Sequence, residues 1–598
     1  MAHSYQSEAI NPTDEFRILR LKPGAEDDAL SGDIITARFG DEVEYEALSY
    51  AWGSDVKTRQ LSTPRGVLPI TEFLASALRC LRRSDDDLLI WADAVCINQG
   101  DNQEKNHQVR RIRDIFAGAE MVRVHLGDER DNSELVPGLL EVLTTVDLQK
   151  EYNLDPAWDR YTRHIKLLER LKAYDHGPLP ALDDPSWRAL QTLFRRPWFK
   201  RVWVIQEYVV AKDVTFHCGR WSIRSCVLRD ALEKLYHDLI MQVYTSKENS
   251  DGETVEGIVN SYMSVILLFF LRKSYKNGRE LRLVELLQKG RSKLATRSRD
   301  HLFALLGLAN DAGDPAFDPD YEEPLAMVVR RYASAIVKQG HGAYLLEDAG
   351  VVPGAPDCFP SWVPYWTSMS DGQETWRVLG REILSRNVYS AGGEHTSHMS
   401  DNNDHTTLTT RASIFDTIAK VGTSGGDRRY ITGTAGSEIR ESVNRWFDEA
   451  LAMTSELVVY PTGEPLGAAL RRSIIADLCY DDARVSRPSV SMYDRIRRTH
   501  GDEELNLEYQ NFTHVFAIHR LMRFCITEKG YMGLCSTEAR VGDDVYILPG
   551  MQTPYTMRRT AGRQDNELRL VGRCYIHGIM DGEALTLPGY EPKDIHNW

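Results

Sequence analysis

Three short apolar runs, separated by amphipathic segments, constrain the N-terminal fold more than any other feature. The runs are Glu46–Ala51, Leu88–Ala92 and Met121–Leu126, each of strand length. Apolar residues recur at helical spacing between 71 and 81 and again between 109 and 116. This strand–helix–strand–helix–strand order predicts an α/β domain with a parallel sheet and helices on both faces.

Ligands of parallel α/β sheets bind beyond the carboxyl ends of the strands. In this sequence Trp52 and Gly53 follow the first apolar run, and Asp93 follows the second. The polar segment 94–106 comes directly after Asp93 and is expected to be a loop. We therefore expect these residues at the functional edge of the sheet.

Glu207 ends the segment Arg196–Glu207 and lies on an apolar stripe when the segment is read as a helix. Trp203 and Val204 precede it by four and three residues, so no cation lies within one turn on that side. A carboxylate in this setting must be neutralised by tertiary contacts or held in a cleft. The alternative is a structural glutamate paired with a distant arginine or with backbone N–H groups.

Charge and cysteine usage exclude several classes of protein. The 598 residues carry a net charge of −15, which argues against general nucleic-acid binding and against docking to anionic membranes. Nine scattered cysteines suggest reduced thiols in a cytosolic or nuclear protein, and we expect the cytoplasm. None of them forms a close pair of the kind that a zinc site uses, so no metal is expected. No signal peptide is expected, and the longest apolar run, Val265–Leu271, is far shorter than the roughly 20 residues of a membrane span.

The length predicts several domains. We expect an α/β domain over 1–220 with a mainly helical insertion at 128–194. A mainly helical region should follow over 221–350. Residues 351–598 should form an α+β region, with a small antiparallel β unit after 512.

Four segments in order resemble the fungal heterokaryon incompatibility (HET) domain. They are Tyr45–Gly53, Trp91–Gln99, the helix start around Glu104–Val109, and Trp198–Glu207, so the motif core spans 40–210. Segments at 527–533 and 575–583 resemble the C-terminal half of such proteins. The resemblance implies nonself recognition coupled to programmed cell death, with self-association or another incompatibility protein as the partner.

The same domain is distantly similar to the Toll/interleukin-1 receptor (TIR) domain. Leu48–Gly53 resembles the first TIR strand, and Asp93 resembles the acidic residue after the second strand. Trp203 and Glu207 resemble the Trp-x-x-x-Glu helix whose glutamate serves the NAD-cleaving members. The resemblance implies that Glu207 is catalytic; the insertion at 128–194 departs from the TIR pattern.

NAD cleavage is therefore the first hypothesis for the chemistry, with NAD as substrate and no cofactor required. The reaction passes through an oxocarbenium-like ribosyl cation, which a carboxylate such as Glu207 stabilises. Rings could stack on Trp52 or Trp203, although large aromatic residues usually pack in the core. Hydrogen bonds to ribose or amide, or alternatively within turns and loops, could come from Asp93, Asn98 and Gln99.

Two other functions remain open at the level of sequence. A non-enzymatic death-signalling module could assemble through the 94–106 loop. A serine hydrolase is suggested by the G-x-S-x-G pattern at 422–426, but the residues that follow do not begin a helix directly, as a nucleophile elbow requires. Chance is the better account of that pattern.

Overall fold

A computed structural model gives the fold of the chain. It describes residues 9–11, 14–151, 153, 155, 178–181, 184–238, 255–352, 359–367, 388–402, 404–424, 436–481, 484–486, 522–560, 562 and 564–598. Contacts divide the chain into two compact units, Met1–Ser246 with Glu256–Glu323 and Lys247–Val255 with Pro324–Trp598. Each unit contains its own large sheet.

The first unit is built on a seven-stranded sheet of order β2-β1-β6-β3-β7-β8-β9, beside a small β4–β5 hairpin. The strands are β1 (Glu15–Leu21), β2 (Gly32–Arg38), β3 (Glu46–Tyr50), β4 (Arg59–Thr63), β5 (Gly66–Ile70), β6 (Leu88–Trp91), β7 (Met121–His125), β8 (Val214–Cys218) and β9 (Trp221–Arg224). The four strands β6, β3, β7 and β8 are mutually parallel. These central strands confirm the predicted α/β alternation.

The sheet as a whole is mixed, which corrects the expectation of a purely parallel sheet. At one edge β1 pairs antiparallel with both β2 and β6, and at the other β9 pairs antiparallel with β8. The first two strands come before the alternating pattern begins, and β8 joins β9 through a tight turn at Gly219, whose φ is +54°. Short connections of this kind produce antiparallel neighbours.

Helices surround this sheet. They are α1 (Glu72–Leu81), α2 (Asp93–Cys96), α3 (Asn102–Gly118), α4 (Val136–Thr145), α5 (Leu148–Glu151), α6 (Pro185–Phe194), α7 (Pro197–Lys200), α8 (Trp203–Val210), α9 (Ser225–Asp238), α10 (Val255–Lys276), α11 (Leu283–Gly290) and α12 (Asp300–Phe303). The described parts of the expected insertion, α4 to α6, are helical; much of 152–177 lies outside the described residues. No helix within the described ranges is long and apolar enough to cross a membrane.

The segment expected as a loop at 94–106 is mostly helical, which corrects that prediction. Asp93 starts the short α2, and α3 begins at Asn102 rather than after Asn106. The Asp101 carboxylate caps α3 by accepting hydrogen bonds from the N–H groups of Gln103 and Glu104. Polar residues in a first helical turn mimic a loop in sequence because they cap the turn instead of packing on the core.

The Arg196–Glu207 segment is two helices rather than one. At Arg201 the backbone is extended, with φ −75° and ψ 142°, so α7 ends and α8 begins at Trp203. Leu294 satisfies the backbone groups freed by this break: its N–H donates to the Lys200 carbonyl, and its carbonyl accepts from the Val202 N–H at 2.9 Å. Tertiary contacts thus hold an interruption that local sequence does not demand.

The second unit contains a nine-stranded sheet, and part of it closes on itself. Its strands are β10 (Met399–Asp401), β11 (Leu408–Ser424), β14 (Met522–Thr527), β15 (Met532–Ser536), β16 (Asp544–Ile547), β17 (Tyr555–Arg559), β18 (Glu567–Arg573), β19 (Tyr575–Ile576) and β20 (Lys593–Asn597); β12 (Cys479–Asp481) and β13 (Arg484–Ser486) form a separate hairpin. The pairings β11–β16–β17–β18–β20–β11 form a ring, in which β18 and β20 are parallel. The unit therefore holds a barrel.

This β structure begins before residue 512, because the long strand β11 pairs with β14, β16 and β20. The helices of the unit are α13 (Leu325–Lys338), α14 (Gly342–Asp348), α15 (Gly436–Met453) and α16 (Leu466–Ile474). The G-x-S-x-G pattern starts at the end of β11, and its residues 425 and 426 lie outside the described part of the chain.

Candidate active site

The candidate site lies where the order of the parallel strands reverses. Among the four parallel strands, the central strand β3 comes first in the chain. The next two parallel strands along the chain, β6 and β7, lie on opposite sides of β3. Connections that leave β3 in opposite directions open a crevice at the carboxyl ends of the strands. Ser49 and Tyr50 are the last residues of β3, and Asp93 follows the end of β6.

Glu207 projects from α8 onto the end of β3. Its side chain accepts a hydrogen bond from the Ser49 hydroxyl, and the Ser49 oxygen in turn accepts one from the Trp198 indole N–H at 2.7 Å. Glu207 is 7 % exposed and Trp198 is 1 % exposed. A carboxyl group is therefore held on an almost dry, aromatic surface by a chain of hydrogen bonds from two separate elements.

The protonation of Glu207 reflects this burial. Desolvation raises the pKa of Glu207 from an ordinary value of 4.5 to about 7. The positive charge of Arg201 and the Ser49 hydrogen bond oppose the rise in pKa, while the negative charge of Asp93 adds to it. Near neutral pH this carboxyl group is poised between its acid and its base form.

Arg201 occupies the break between α7 and α8. Its guanidinium donates a hydrogen bond to the Tyr50 carbonyl at the end of β3. From there its charge lowers the pKa of both Glu207 and Asp93, although burial outweighs it at each carboxyl group. The break in the helix thus places one cation close enough to act on two acids.

Asp93 is bound on several sides. Its carboxylate accepts hydrogen bonds from the Trp52 indole N–H at 2.7 Å and from the Ala94 N–H at 2.7 Å. The Tyr50 hydroxyl also hydrogen-bonds to it, and burial still raises the pKa of Asp93. Burial, together with the negative charge of Asp93, raises the pKa of Tyr50 well above its usual value.

Two further residues predicted for the site, Gly53 and Trp203, have structural features that differ from each other. Gly53 has a φ of +65°, and a Cβ there would lie 3.6 Å from the Cβ of Phe73, so the position favours glycine for its backbone conformation. Trp203 is half-buried at the start of α8. Among the described residues, the Trp203 indole makes no hydrogen bond to Glu207.

Asn98 and Gln99 use their amide groups within their own loop. The Asn98 oxygen accepts from the Gly100 N–H at 3.2 Å, and the Gln99 side chain donates to the Asp93 carbonyl at 3.0 Å. The Asn98 N–H donates to Glu104 at 2.8 Å. Both side chains therefore form hydrogen bonds within the loop beside Asp93, which was the alternative to ligand binding.

A buried ion pair anchors this loop and was not predicted. Arg17 on β1 contacts both oxygens of Glu104 at 2.6 and 3.0 Å, and it donates to the Cys96 carbonyl at 3.1 Å. Arg17 is 2 % exposed and Glu104 is 7 % exposed. The pair ties the end of α2 and the start of α3 to strand β1 of the sheet.

Sequence reasoning missed the roles of Ser49, Tyr50, Arg201 and Trp198, although all four belong to the motif segments. The available signal was their place in those segments: Ser49 and Tyr50 end β3, and Trp198 and Arg201 come shortly before α8. Among the described residues, no group of three or more His, Cys, Asp or Glu side chains could hold a metal ion.

Comparison with known proteins identifies the class of this chain. Residues 45–207 match the model of the family "Heterokaryon incompatibility protein (HET)", and residues 517–589 match that of the "Het-6 beta-barrel domain". Residues 45–207 thus carry the match to a heterokaryon incompatibility (HET) domain and residues 517–589 the match to a Het-6 barrel, and proteins that combine these two domains are the class that this chain resembles.

A particular relative aligns over nearly the whole chain. Heterokaryon incompatibility protein 6, OR allele, of Neurospora crassa is 27 % identical over 97 % of this chain and 96 % of its own length. No solved structure matches. The expected resemblance to the HET family is therefore confirmed.

Proposed function

We propose that this protein acts in heterokaryon incompatibility by cleaving NAD at the nicotinamide–ribose bond, with Glu207 as the catalytic carboxylate. The observation that carries the proposal is the state of Glu207: a buried acid with a pKa of about 7, held by Ser49 at the switch point of a parallel sheet. Titratable groups perturbed by burial and by a specific charge partner cluster at functional sites.

The chemistry requires a negative charge beside a developing positive one. The bond between the ribose C1′ and the nicotinamide nitrogen breaks, and its electron pair leaves with nicotinamide. Ionised Glu207 then faces the ribosyl cation in a poorly solvated site, where a fixed charge stabilises more than it does in water. Water adds its oxygen to C1′ and loses a proton, which gives ADP-ribose.

The neighbours of Glu207 suit this role. Ser49 and Trp198 fix the orientation of the carboxylate through successive hydrogen bonds, so little reorganisation is needed during reaction. Asp93 opposes ionisation and Arg201 favours it, which keeps the pKa of Glu207 close to the working pH. We assign Asp93 and the Trp52 indole bound to it to the ribose or amide side of the substrate, and Trp203 to the rim.

The parallel core supports a distant relation to TIR domains. The order second–first–third–fourth in β6, β3, β7 and β8 is that of flavodoxin-like sheets, whose ligands bind at the switch point beside the first strand. The helix with Trp203 and Glu207 follows the third parallel strand and packs over this point. On this proposal the insertion at 128–194 is an addition to a TIR-like scaffold.

At the level of the cell, we propose that loss of NAD couples nonself recognition to programmed death in the cytoplasm. The Neurospora crassa relative is named for incompatibility, which supports that setting. The partner is a second copy or another incompatibility protein. Assembly would raise turnover by ordering the loops around Asp93.

The test measures nicotinamide release by purified full-length protein over a range of protein concentrations, for wild type, Glu207→Gln and Glu207→Ala. We expect both variants to lose at least about 100-fold in turnover, because the charge facing the cation is gone. Exposed Glu134→Gln is the matched control and should keep wild-type turnover. Equal turnover in wild type and Glu207→Gln would exclude Glu207 chemistry, and cell killing that survives Glu207→Gln would favour a non-enzymatic module.

A further inference from the structure

Two cations converge on one buried ring close to Asp93. The Lys105 ammonium lies 4.6 Å from the centre of the Tyr321 ring, and the Arg297 guanidinium lies 5.5 Å from it. Tyr321 is 8 % exposed, and its hydroxyl donates to Asp300 at 2.8 Å. All four residues belong to the first unit, although they come from α3, from α12 and from the segments around α12.

The two cations are close enough to oppose each other. Desolvation, and then the positive charge of Arg297, lower the pKa of Lys105. Within the described ranges neither Lys105 nor Arg297 has a carboxylate at salt-bridge distance. Asp101 caps α3 and Glu104 pairs with Arg17. Asp300 accepts from Tyr321, and its charge and that of Asp93 act against the fall in the pKa of Lys105 from a longer distance.

Lys105 is half-buried and Arg297 is exposed, so both cations can reach an anion that approaches the Tyr321 ring, where cation–π contact holds them. Lys105 also lies in the first turn of the 17-residue α3, where the helix dipole adds positive potential. Arginine and lysine together match a diphosphate, since arginine binds two oxygens in a fork and lysine acts as a point charge. Lys105 directly follows Glu104, which accepts from the Asn98 N–H at 2.8 Å, and the neighbouring Gln99 donates to the Asp93 carbonyl at 3.0 Å, so Lys105 lies beside the candidate active site.

We infer that Lys105 and Arg297, both packed on Tyr321, bind the diphosphate of the dinucleotide substrate. The inference rests on the proposed function and extends it, because it sets the substrate class: dinucleotides rather than nucleosides. Segment 297–321, which follows the HET domain in sequence, then completes the binding site. Nicotinamide riboside, which lacks the diphosphate, is a poor substrate on this account.

The test uses full-length protein and calorimetric titration with ADP-ribose, which keeps the diphosphate but needs no turnover. Lys105→Gln and Arg297→Gln should each weaken ADP-ribose binding by about tenfold or more, since each removes a charge-assisted contact. Glu207→Gln should still bind. Arg111→Gln is the matched control: Arg111 lies on the same helix and stacks on Phe39 at 4.1 Å, and its loss should leave binding unchanged.

Thermal midpoints of all variants separate loss of the site from loss of the fold; Arg297 is exposed, so its variant keeps the fold. Inorganic pyrophosphate is titrated in parallel, and competition with ADP-ribose supports a shared diphosphate site. If wild type binds no ADP-ribose, or if the two glutamine variants bind it as wild type does, the inference is wrong. If the protein binds ADP-ribose through Lys105 and Arg297 but does not cleave NAD, the diphosphate site is supported and the proposed chemistry is contradicted.

Discussion

The Ser49 hydroxyl on β3 donates a hydrogen bond to Glu207 on α8, across 158 residues of sequence. The same oxygen accepts the Trp198 indole N–H at 2.7 Å. Because a serine oxygen can donate one hydrogen bond and accept others, it links a neutral donor to a carboxylate without a second charge. Glu207 is thereby fixed in place while its pKa stays high.

Replacing Ser49 tests this link. Ser49→Ala removes the donor to Glu207 and leaves the Trp198 indole without its acceptor, at a cost of about 1–3 kcal/mol in unfolding free energy. The pKa of Glu207 should rise further, since the hydrogen bond lowers it. Nicotinamide release at pH 7 should fall roughly tenfold or more. Ser62→Ala, on an exposed strand position, is the control; equal effects from both variants would contradict a special role for Ser49.

Burial of Glu207 predicts a pH-dependent change in stability. The pKa is about 7 in the folded state against an ordinary 4.5, so the folded chain keeps a proton that the unfolded chain has lost between these values. Wild type therefore loses stability as pH rises from about 4.5 to 7, and the loss is complete above 7.

Glu207→Gln has no such proton to lose. Relative to wild type it should gain roughly 3 kcal/mol between pH 5 and pH 8, as the shift in pKa implies. Denaturant unfolding at a series of pH values measures the difference. Exposed Glu134→Gln should change stability by less than about 0.5 kcal/mol at every pH. If the difference in unfolding free energy between Glu207→Gln and wild type does not change with pH, the Glu207 carboxyl group is well solvated and the prediction is wrong.

Arg201 should set the pH range of activity. Arg201→Gln removes the charge that lowers the pKa of Glu207 and Asp93, so both carboxyl groups ionise at higher pH. The pH at which nicotinamide release reaches half of its maximum should therefore be higher by about one unit, the usual size of the effect of a nearby charge on a pKa. Lys200→Gln, next in sequence and exposed, is the control. An unchanged profile in Arg201→Gln would contradict the electrostatic coupling.

The buried Arg17–Glu104 pair should be far more sensitive to substitution than a surface pair. Arg17→Met leaves a buried carboxylate without its partner, which typically costs about 3–5 kcal/mol. The exposed pair of Lys22 and Asp87, at 2.8 Å, offers the comparison: Lys22→Met should cost less than about 1 kcal/mol. Chemical denaturation measures the unfolding free energy of both variants. If Arg17→Met lowers it by as little as Lys22→Met does, the buried pair contributes little to the stability of the loop.

Strand order predicted Asp93 at the carboxyl edge of the sheet, and the neighbouring apolar residues predicted that Glu207 is withdrawn from water. Parallel strands place their carboxyl ends at one edge, and the apolar stripe around Glu207 demands burial. The role of Arg201 was not predicted from the sequence because its position depends on Leu294, whose backbone stabilises the break before α8. No local pattern encodes a partner so far along the chain.

The barrel illustrates the same limit. Strands after 522 follow local turn signals, but β11 joins them by pairing across a long sequence separation. Likewise the helical start at Asn102 looked like a loop because its residues are polar and serve as caps. Local periodicity predicts the type of many elements, whereas their partners are set by tertiary contacts.

The most direct measurement is the rate of nicotinamide release by purified wild-type protein as a function of pH, beside Glu207→Gln. If ionised Glu207 stabilises the ribosyl cation, the wild-type rate rises through a pKa near 7 and reaches a plateau above it, and the variant stays near background at all pH values. A wild-type protein that releases no nicotinamide at any pH or concentration, or a variant with the same profile, would contradict the account.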